Sequence, residues 1–527
     1  MSSTFYRYKR NGEVWLEPVI YNISVKNFKS LKNTGVLNLK PITLLVGPNS
    51  SGKTALLQTI LLLKQTLESR NIEVPLVLRG KYVDLSSFKD IVFQHDLKEI
   101  IEILLGIRII QHPRIRRPPD FPKLYRDISL MKFKFGYDVK SKRIINKGLE
   151  ISIPEVNVSI TEEKIEVIHK KEPIISYDFK KRREIEKRNF LYIPRFFPPA
   201  HFYLSRKQSL EKELKELLDK KTQLEEAIKE KPREKEKIES TIRKLERIIK
   251  GLEAELRFFE KRFGDMFKGL SIKQAEIIEF SLNVLRDSSF HLQNLLVENT
   301  YYIGPLREYP QRYYIASGEY PRDVGLRGEH TVETIYFNFK QKENRYTKLK
   351  YWMKEMGLAY DIKLSPVAEG IYALVVTDPK LGIDVNLADI GFGASQLLPI
   401  IVEGIYAESG SVLLIEQPEI HLHPRLQALL ADFLIDIMME GKQVIVETHS
   451  EHIILRLQRR IAENKLSYKD VAIYYFEPSS EGSKITHIEL EEDGIIKTWP
   501  KGFFEEDLEE SYFLLKALGE RKNVSGS

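Results

Sequence analysis

IYNISVKNF (Ile20–Phe28) and VLNLKPITLLV (Val36–Val46) alternate apolar and polar residues or run apolar, and β-branched side chains are frequent, so both predict strands. GPNSSGKT follows, then ALLQTILLLKQTLES, whose apolar residues recur at helical spacing. Glu99–Ile110 fits a strand or a helix and stays open. From about Ser129 to Phe179, LMKFKFGYDV, LEISIP and VNVSI predict a β-meander. Ile272–Glu298 reads as helical, YALVVTD and IDVNLAD read as a hairpin, and alternating helices and strands complete the chain.

Between these regions the pattern changes abruptly. Apolar residues fall at 210, 214, 217, 224 and 228, then at 238, 242, 245, 249, 252, 256, 259 and 263. Steps of three and four form a coiled-coil seam, with Lys221 as the polar interruption of the first arm. Pro232 marks the reversal, because proline cannot continue a helix interior. Arms of about 25–30 residues, at 1.5 Å per residue, give a projection of roughly 40 Å. The faces outside the seam are almost wholly charged, which favours a protruding antiparallel hairpin over surface helices packed on the body. The expected segments are residues 1–105 (first part of a head), 106–204 (basic β-rich lobe), 205–263 (hairpin), 264–380 (helical return) and 381–527 (second part of the head).

The chain has 527 residues, with 42% hydrophobic and 30% charged, which suits a soluble protein of two or three lobes. No apolar run is long enough to cross a bilayer, and the first residues predict no secretory signal. Cysteine is absent, which removes disulfides and thiolate metal sites and fits a cytoplasmic protein. Net charge is +7, but Gly106–Arg206 carries 23 Lys and Arg against 12 Asp and Glu, or +11. RIIQHPRIRRPP (Arg108–Pro119) and KKRREIEKR (Lys180–Arg188) are its densest parts. They suit a phosphate backbone or, equally, solvated surface loops.

The chemistry is most specific in GPNSSGKT: Gly47, Pro48, Asn49, Ser50, Ser51, Gly52, Lys53 and Thr54. This is G-x-x-x-x-G-K-[ST] between a strand and a helix, the context in which backbone N–H groups cradle phosphates. Lys53 would bridge the β- and γ-phosphates, and Thr54 would complete a magnesium shell. Far downstream, VLLIEQPEIHLHP (Val412–Pro424) runs an apolar strand into Glu416, the expected magnesium carboxylate. Just before it, DIGFGASQLLP places Gly391, Gly393, Ala394, Ser395 and Gln396 at the start of an apolar helix, where N–H groups suit an anion. Another apolar strand ends in Glu447-Thr448-His449-Ser450, placing His449 to touch a ligand at the sheet's carboxyl edge.

P-loop, long insertion with a coiled coil, small-residue helix start, acidic strand and late histidine: this order resembles the ABC-type ATPase heads of the SMC, RecF and OLD-nuclease group. IGPLREYPQRYY, GFGASQLLP, IEQPEIHLHP and GIIKTWPKGFF are similar to a narrower family of predicted prokaryotic AAA ATPases with a C-terminal domain of unknown function. The resemblance implies an α/β P-loop NTPase head split by a long insertion, with ATP and Mg2+ as cofactors. It implies a head-to-tail homodimer formed on ATP, in which Ser395 and its neighbours act in trans while Lys53, Thr54, Glu416 and His449 act in cis. A glutamine loop is also implied; Gln94 is the candidate, and a plain surface glutamine is the alternative.

In that pattern the residue after the magnesium carboxylate is the general base, and here it is Gln417, which cannot take a proton at physiological pH. Losing the base slows hydrolysis by about 10²–10⁴-fold, but positioning and charge stabilisation carry much of phosphoryl transfer. Glu419 is the nearest substitute carboxylate. His421 and His423 have a metal-ligand spacing but lack further ligands, and the resemblance places them at the dimer contact. The expected function is a slow ATPase that dimerises on ATP and acts as a clamp or switch in DNA maintenance or anti-invader defence, with double-stranded DNA as a partner. The alternative is an ATP-dependent scaffold or sensor for a separate effector protein such as a nuclease, since no adequate nuclease carboxylates stand out in this chain. A transporter subunit is the third reading, opposed by the coiled coil and the absence of a membrane segment.

Overall fold

The computed structural model describes residues 8–10, 13–15, 19–71, 73–109, 127–153, 156–161, 164–169, 172–178, 200–230, 235–259, 281, 285–315, 318–339, 343–390 and 392–500. The chain divides into two units: residues 1–108, 134–145 and 292–527, and residues 109–133 and 146–291.

In the first unit the apolar run Ile42–Val46 is a strand buried at every position. It lies in a six-stranded sheet of order Thr300–Ile303, Val412–Glu416, Gln443–Glu447, Ile42–Val46, Val471–Glu477 and Lys484–Ile488. The first five strands are parallel and the last is an antiparallel edge. Val412–Glu416 and Gln443–Glu447 are also buried throughout, as parallel strands covered on both faces must be, and their apolar runs Val412–Ile415 and Val444–Val446 are unbroken. Helices Lys53–Glu68, Phe392–Tyr406, Pro424–Met439 and Glu451–Ala462 accompany them. Ile42, Leu44, Leu413, Ile415, Val444 and Phe433 share one buried core.

The register fixes where chemistry can occur. Glu416 lies opposite Glu447, and Glu447 opposite Leu45, so three adjacent strands end at one level. Parallel sheets of this kind bind ligands beyond those carboxyl ends. One strand therefore separates the acidic strand from the strand that feeds the P-loop.

A second sheet pairs Ile20–Phe28 antiparallel with Ile101–Ile109, Leu31–Asn33 and Leu37–Asn38. The stretch left open between helix and strand is thus a strand. The Gln443 amide ties this sheet to the first, accepting from Ile20 N and donating to Ile20 O, both at 2.8 Å. A four-stranded sheet contains the expected hairpin, Ile371–Thr377 against Asp384–Asn386, together with Asp361–Ala368 and Tyr314–Ile315.

In the second unit, Val156–Thr161, Lys164–His169 and Glu172–Asp178 form an antiparallel meander with residues 148–153. Helices Ala200–Glu230 and Lys235–Phe259 pack on each other. Leu210, Ile242, Leu245 and Ile249 are buried. Lys221 reaches across to Glu246 at 2.8 Å and pairs with Glu225 in its own helix at 3.6 Å. Pro232, Gly391, most of the basic stretches Arg108–Pro119 and Lys180–Arg188, and the Lys501–Phe504 end of GIIKTWPKGFF lie outside the described residues. Among the described residues, no helix is long and apolar enough to cross a membrane.

Candidate nucleotide site

The P-loop is held open by backbone conformations that few residue types tolerate. Gly47 has φ +135°, and a Cβ there would stand 2.2 Å from the Phe476 carbonyl oxygen. Gly52 has φ +102° and caps the helix Lys53–Glu68 in the left-handed region. A Cβ at Gly52 would meet the hydroxyls of Ser483 and Ser30 at 2.5 and 2.7 Å. No side chain caps this helix and no acidic residue occupies its first turn, so its first N–H groups face outward for an anion. Pro48, Asn49 and Ser50 form the exposed crest of the loop. The Ser51 hydroxyl is buried without a hydrogen-bond partner. Lys53 folds back over the loop, its Nζ donating to Gly47 O at 2.9 Å and Pro48 O at 2.7 Å.

Carboxylates crowd the neighbouring strand ends. The Thr54 hydroxyl lies 3.0 and 2.8 Å from the two Glu447 oxygens, and Lys53 Nζ lies 3.8 Å from Glu447. Glu416 instead accepts from the Tyr302 hydroxyl at 3.0 Å. Burial, and then the charge of Glu447, push the Glu416 carboxyl up to about 7. Burial raises Glu447 and Glu419 as well and lowers Lys53. Several acids and one lysine held out of water are short of positive charge, which a divalent cation would supply.

The residues present fit magnesium bound together with a triphosphate. Among the described residues, no group of three His, Cys, Asp or Glu could hold a metal alone. Magnesium commonly takes one or two protein oxygens and fills its shell with phosphate and water. Thr54 with Glu447 or Glu416 matches that donor set, and the outward N–H groups of the P-loop match the phosphates.

A family model described as "AAA ATPase domain" matches residues 19–454. The chain belongs to this family. A second model, described only as a protein of unknown function, matches residues 466–511 of the ATPase. None of the curated proteins matches it. Among solved structures it is similar to an Smc head domain with an extended coiled coil, bound to the C-terminal domain of ScpA, from Pyrococcus furiosus. That pair has 13% identity and a TM-score of 0.38, and covers 95% of this chain and 99% of the other. It is also similar to an Smc head domain with a coiled coil and joint from Pyrococcus yayanosii, at 12% identity and a TM-score of 0.38, covering 90% and 98%.

The remaining candidate residues of the ATPase fall into four groups. Glu419, the expected substitute base, has both oxygens engaged: Thr448 Oγ1 donates at 2.8 Å and His449 N at 2.6 Å. It holds the segment that carries His449, whose exposed ring is kept below its ordinary pKa by partial desolvation and then by the Lys53 charge. Ser395 and Gln396 are buried in the first turns of Phe392–Tyr406, and Gly393 packs near His421 O and Leu422. A shallow pocket opens there, lined by Tyr309, Tyr314, Gly328, Thr331, Ser395 and Pro399. Gln94 is exposed with φ +52°, next to Phe93, whose ring approaches Gly482. His423 Nδ1 caps the helix Pro424–Met439 by accepting from Arg425 N at 3.3 Å.

Three further side chains stand at the site: Glu447, Tyr302 and Arg307. In the sequence Glu447 is the carboxylate that ends an apolar strand, two residues before the histidine. Tyr302 and Arg307 lie in or beside the IGPLREY stretch. Arg307 is buried, donates from Nη2 to Glu416 O at 2.9 Å, and has Nε and Nη1 without partners. Burial lowers its pKa to about 10. Its own carbonyl accepts from Gln396 Nε2 at 3.5 Å.

Proposed function

We propose that this ATPase binds Mg2+-ATP at the P-loop, hydrolyses it slowly, and pairs head-to-tail with a second copy while ATP is bound. The joint placement of Lys53, Thr54 and Glu447, at residues almost 400 apart in sequence, carries the nucleotide reading. The P-loop N–H groups and Lys53 hold the phosphates, and Thr54 with the nearby carboxylates would hold magnesium. When bound, magnesium neutralises charge on the β- and γ-oxygens. Slowness follows from Gln417, whose amide orients water without accepting its proton. Arg307 supports the switch reading, because it links the end of the acidic strand to the helix start at Gln396, where a partner's nucleotide would dock.

A fluorescent ATP analogue should bind in magnesium buffer, and Lys53→Ala should weaken it by about 10²-fold or more. Light scattering should show ATP-dependent doubling of mass that Lys53→Ala abolishes. Gln417→Glu should raise steady-state phosphate release by about tenfold or more; an unchanged rate would mean that position 417 does not limit chemistry. The role in DNA maintenance or anti-invader defence rests on the basic composition of residues 106–206 and predicts double-stranded DNA binding with steep salt dependence. No binding at low salt, with or without ATP, would favour a scaffold for a separate effector.

A further inference from the structure

We infer that the Tyr302 hydroxyl positions the Glu416 carboxylate for magnesium, holding one oxygen so that the other is presented to the cation's shell. This rests on the nucleotide reading above and adds to it a side chain that acts through Glu416. Tyr302 lies on the edge strand Thr300–Ile303, which runs parallel to Val412–Glu416 and pairs Tyr302 with Leu414. Paired residues of neighbouring strands project to the same face, and so do residues two apart on one strand. Tyr302, Leu414 and Glu416 therefore share a face, and the phenol is long enough to reach the end of the next strand. Its hydroxyl donates to Glu416 Oε1 at 3.0 Å. Among the described residues, no second group donates to that carboxylate.

The segment that carries Tyr302 is itself fixed. Gly304 N donates to Leu326 O and Glu308 N to Arg327 O, both at 2.8 Å. Between these anchors Arg307 donates from Nη2 to Glu416 O at 2.9 Å. One pinned segment thus grips Glu416 twice, its carboxylate through Tyr302 and its main chain through Arg307. Magnesium demands near-octahedral geometry and takes few protein oxygens, so a carboxylate free to sample its rotamers would meet it only part of the time. A hydrogen bond that selects one orientation raises metal affinity without supplying a ligand. Burial sharpens the need, because Glu416 is 6% exposed and water cannot freely replace a lost phenol.

The test is a magnesium titration of fluorescent ATP-analogue binding to the full chain, with a parallel measurement in EDTA. Tyr302→Phe keeps the ring and removes only the hydroxyl. It should raise the magnesium needed for half-maximal binding by about tenfold, while metal-free affinity for the analogue stays within about twofold. An unmoved magnesium requirement overturns the inference. So does an equal loss of affinity with and without magnesium, which would make Tyr302 a general support of the pocket. Should Tyr302→Phe fail to fold by circular dichroism, Tyr302→Met, an adaptable apolar side chain that also lacks the hydroxyl, takes its place with the same expectation. If the unaltered protein binds no analogue at any magnesium concentration, the nucleotide reading fails and this inference with it. That result is distinct from a protein that binds the analogue but is indifferent to position 302.

Discussion

The carboxyl edge of the six-stranded sheet and the paired helices Ala200–Glu230 and Lys235–Phe259 are both rich in charge, but the charges live in different solvents. At the sheet edge Lys53, Arg307, Glu416, Glu419 and Glu447 are all buried, and Arg307 leaves two nitrogens unpartnered. On the helices, pairs such as Lys212–Glu216 are 81% and 68% exposed. Exposed pairs gain little, because water and salt screen them and ordering long side chains costs entropy. Buried charges are costly unless something compensates them. A fold that buries several carboxylates beside a P-loop is therefore arranged for a cationic and anionic guest, while the helices carry charge to stay solvated around an apolar seam.

The largest expected effect tests whether burial governs charge throughout the head. Glu403, inside the helix Phe392–Tyr406, is fully buried and accepts from Val324 N at 2.8 Å. Burial pushes its pKa up to about 8, opposed first by the Val324 N–H; Asp323 adds to the rise, and Lys442 and Lys64 oppose it. The folded state thus keeps a proton that the unfolded state releases near its ordinary carboxyl range. Stability is complete below about pH 4.5, falls as pH climbs toward 8 and levels off above, a loss on the order of 4–5 kcal/mol. Glu403→Gln keeps the acceptor and cannot ionise, so its urea midpoint should stay flatter between pH 5 and 9. Parallel midpoints for the two proteins would show that Glu403 is ionised in the fold.

A smaller effect is expected at Arg307. Arg307→Lys retains charge but removes the fork that reaches Glu416 O, freeing the turn that carries Gln417. Turnover should drop by about 10–10²-fold through misplacement alone. Analogue binding should stay nearly unchanged. Equal losses in binding and turnover would make Arg307 a general support of the pocket rather than a brace for the acidic strand.

Local chemistry made part of this legible. The P-loop announces itself because its glycines answer to backbone angles, and Gly52 at φ +102° needs no distant partner to explain it. The acidic strand announces itself because four buried apolar residues, Val412–Ile415, run straight into a carboxylate. Glu447 was not legible in the same way. Its role depends on strand order, and no spacing in sequence says that Gln443–Glu447 lies between Ile42–Val46 and Val412–Glu416. Arg307 and Tyr302 arrive from another segment and act through backbone carbonyls or one hydroxyl, which leaves no periodic mark. Glu419 read as a spare base from its position alone, and only its partners Thr448 and His449 show that both of its oxygens are occupied.

The smallest effect comes from the helices. Lys221 interrupts an apolar seam, and the structure gives it Glu246 across the pair and Glu225 on its own helix. The side chain is 27% exposed and Glu246 is 45% exposed, so solvent screens the attraction. Polar residues at such positions fix register at some cost in stability. Lys221→Leu should therefore leave the thermal midpoint unchanged or slightly higher, and moderate salt should leave the unaltered protein equally indifferent. A clear fall in the midpoint would mean that this pair behaves like the buried charges of the sheet edge. The contrast between a solvated arm and a charge-starved pocket would then have to be drawn somewhere other than at exposure.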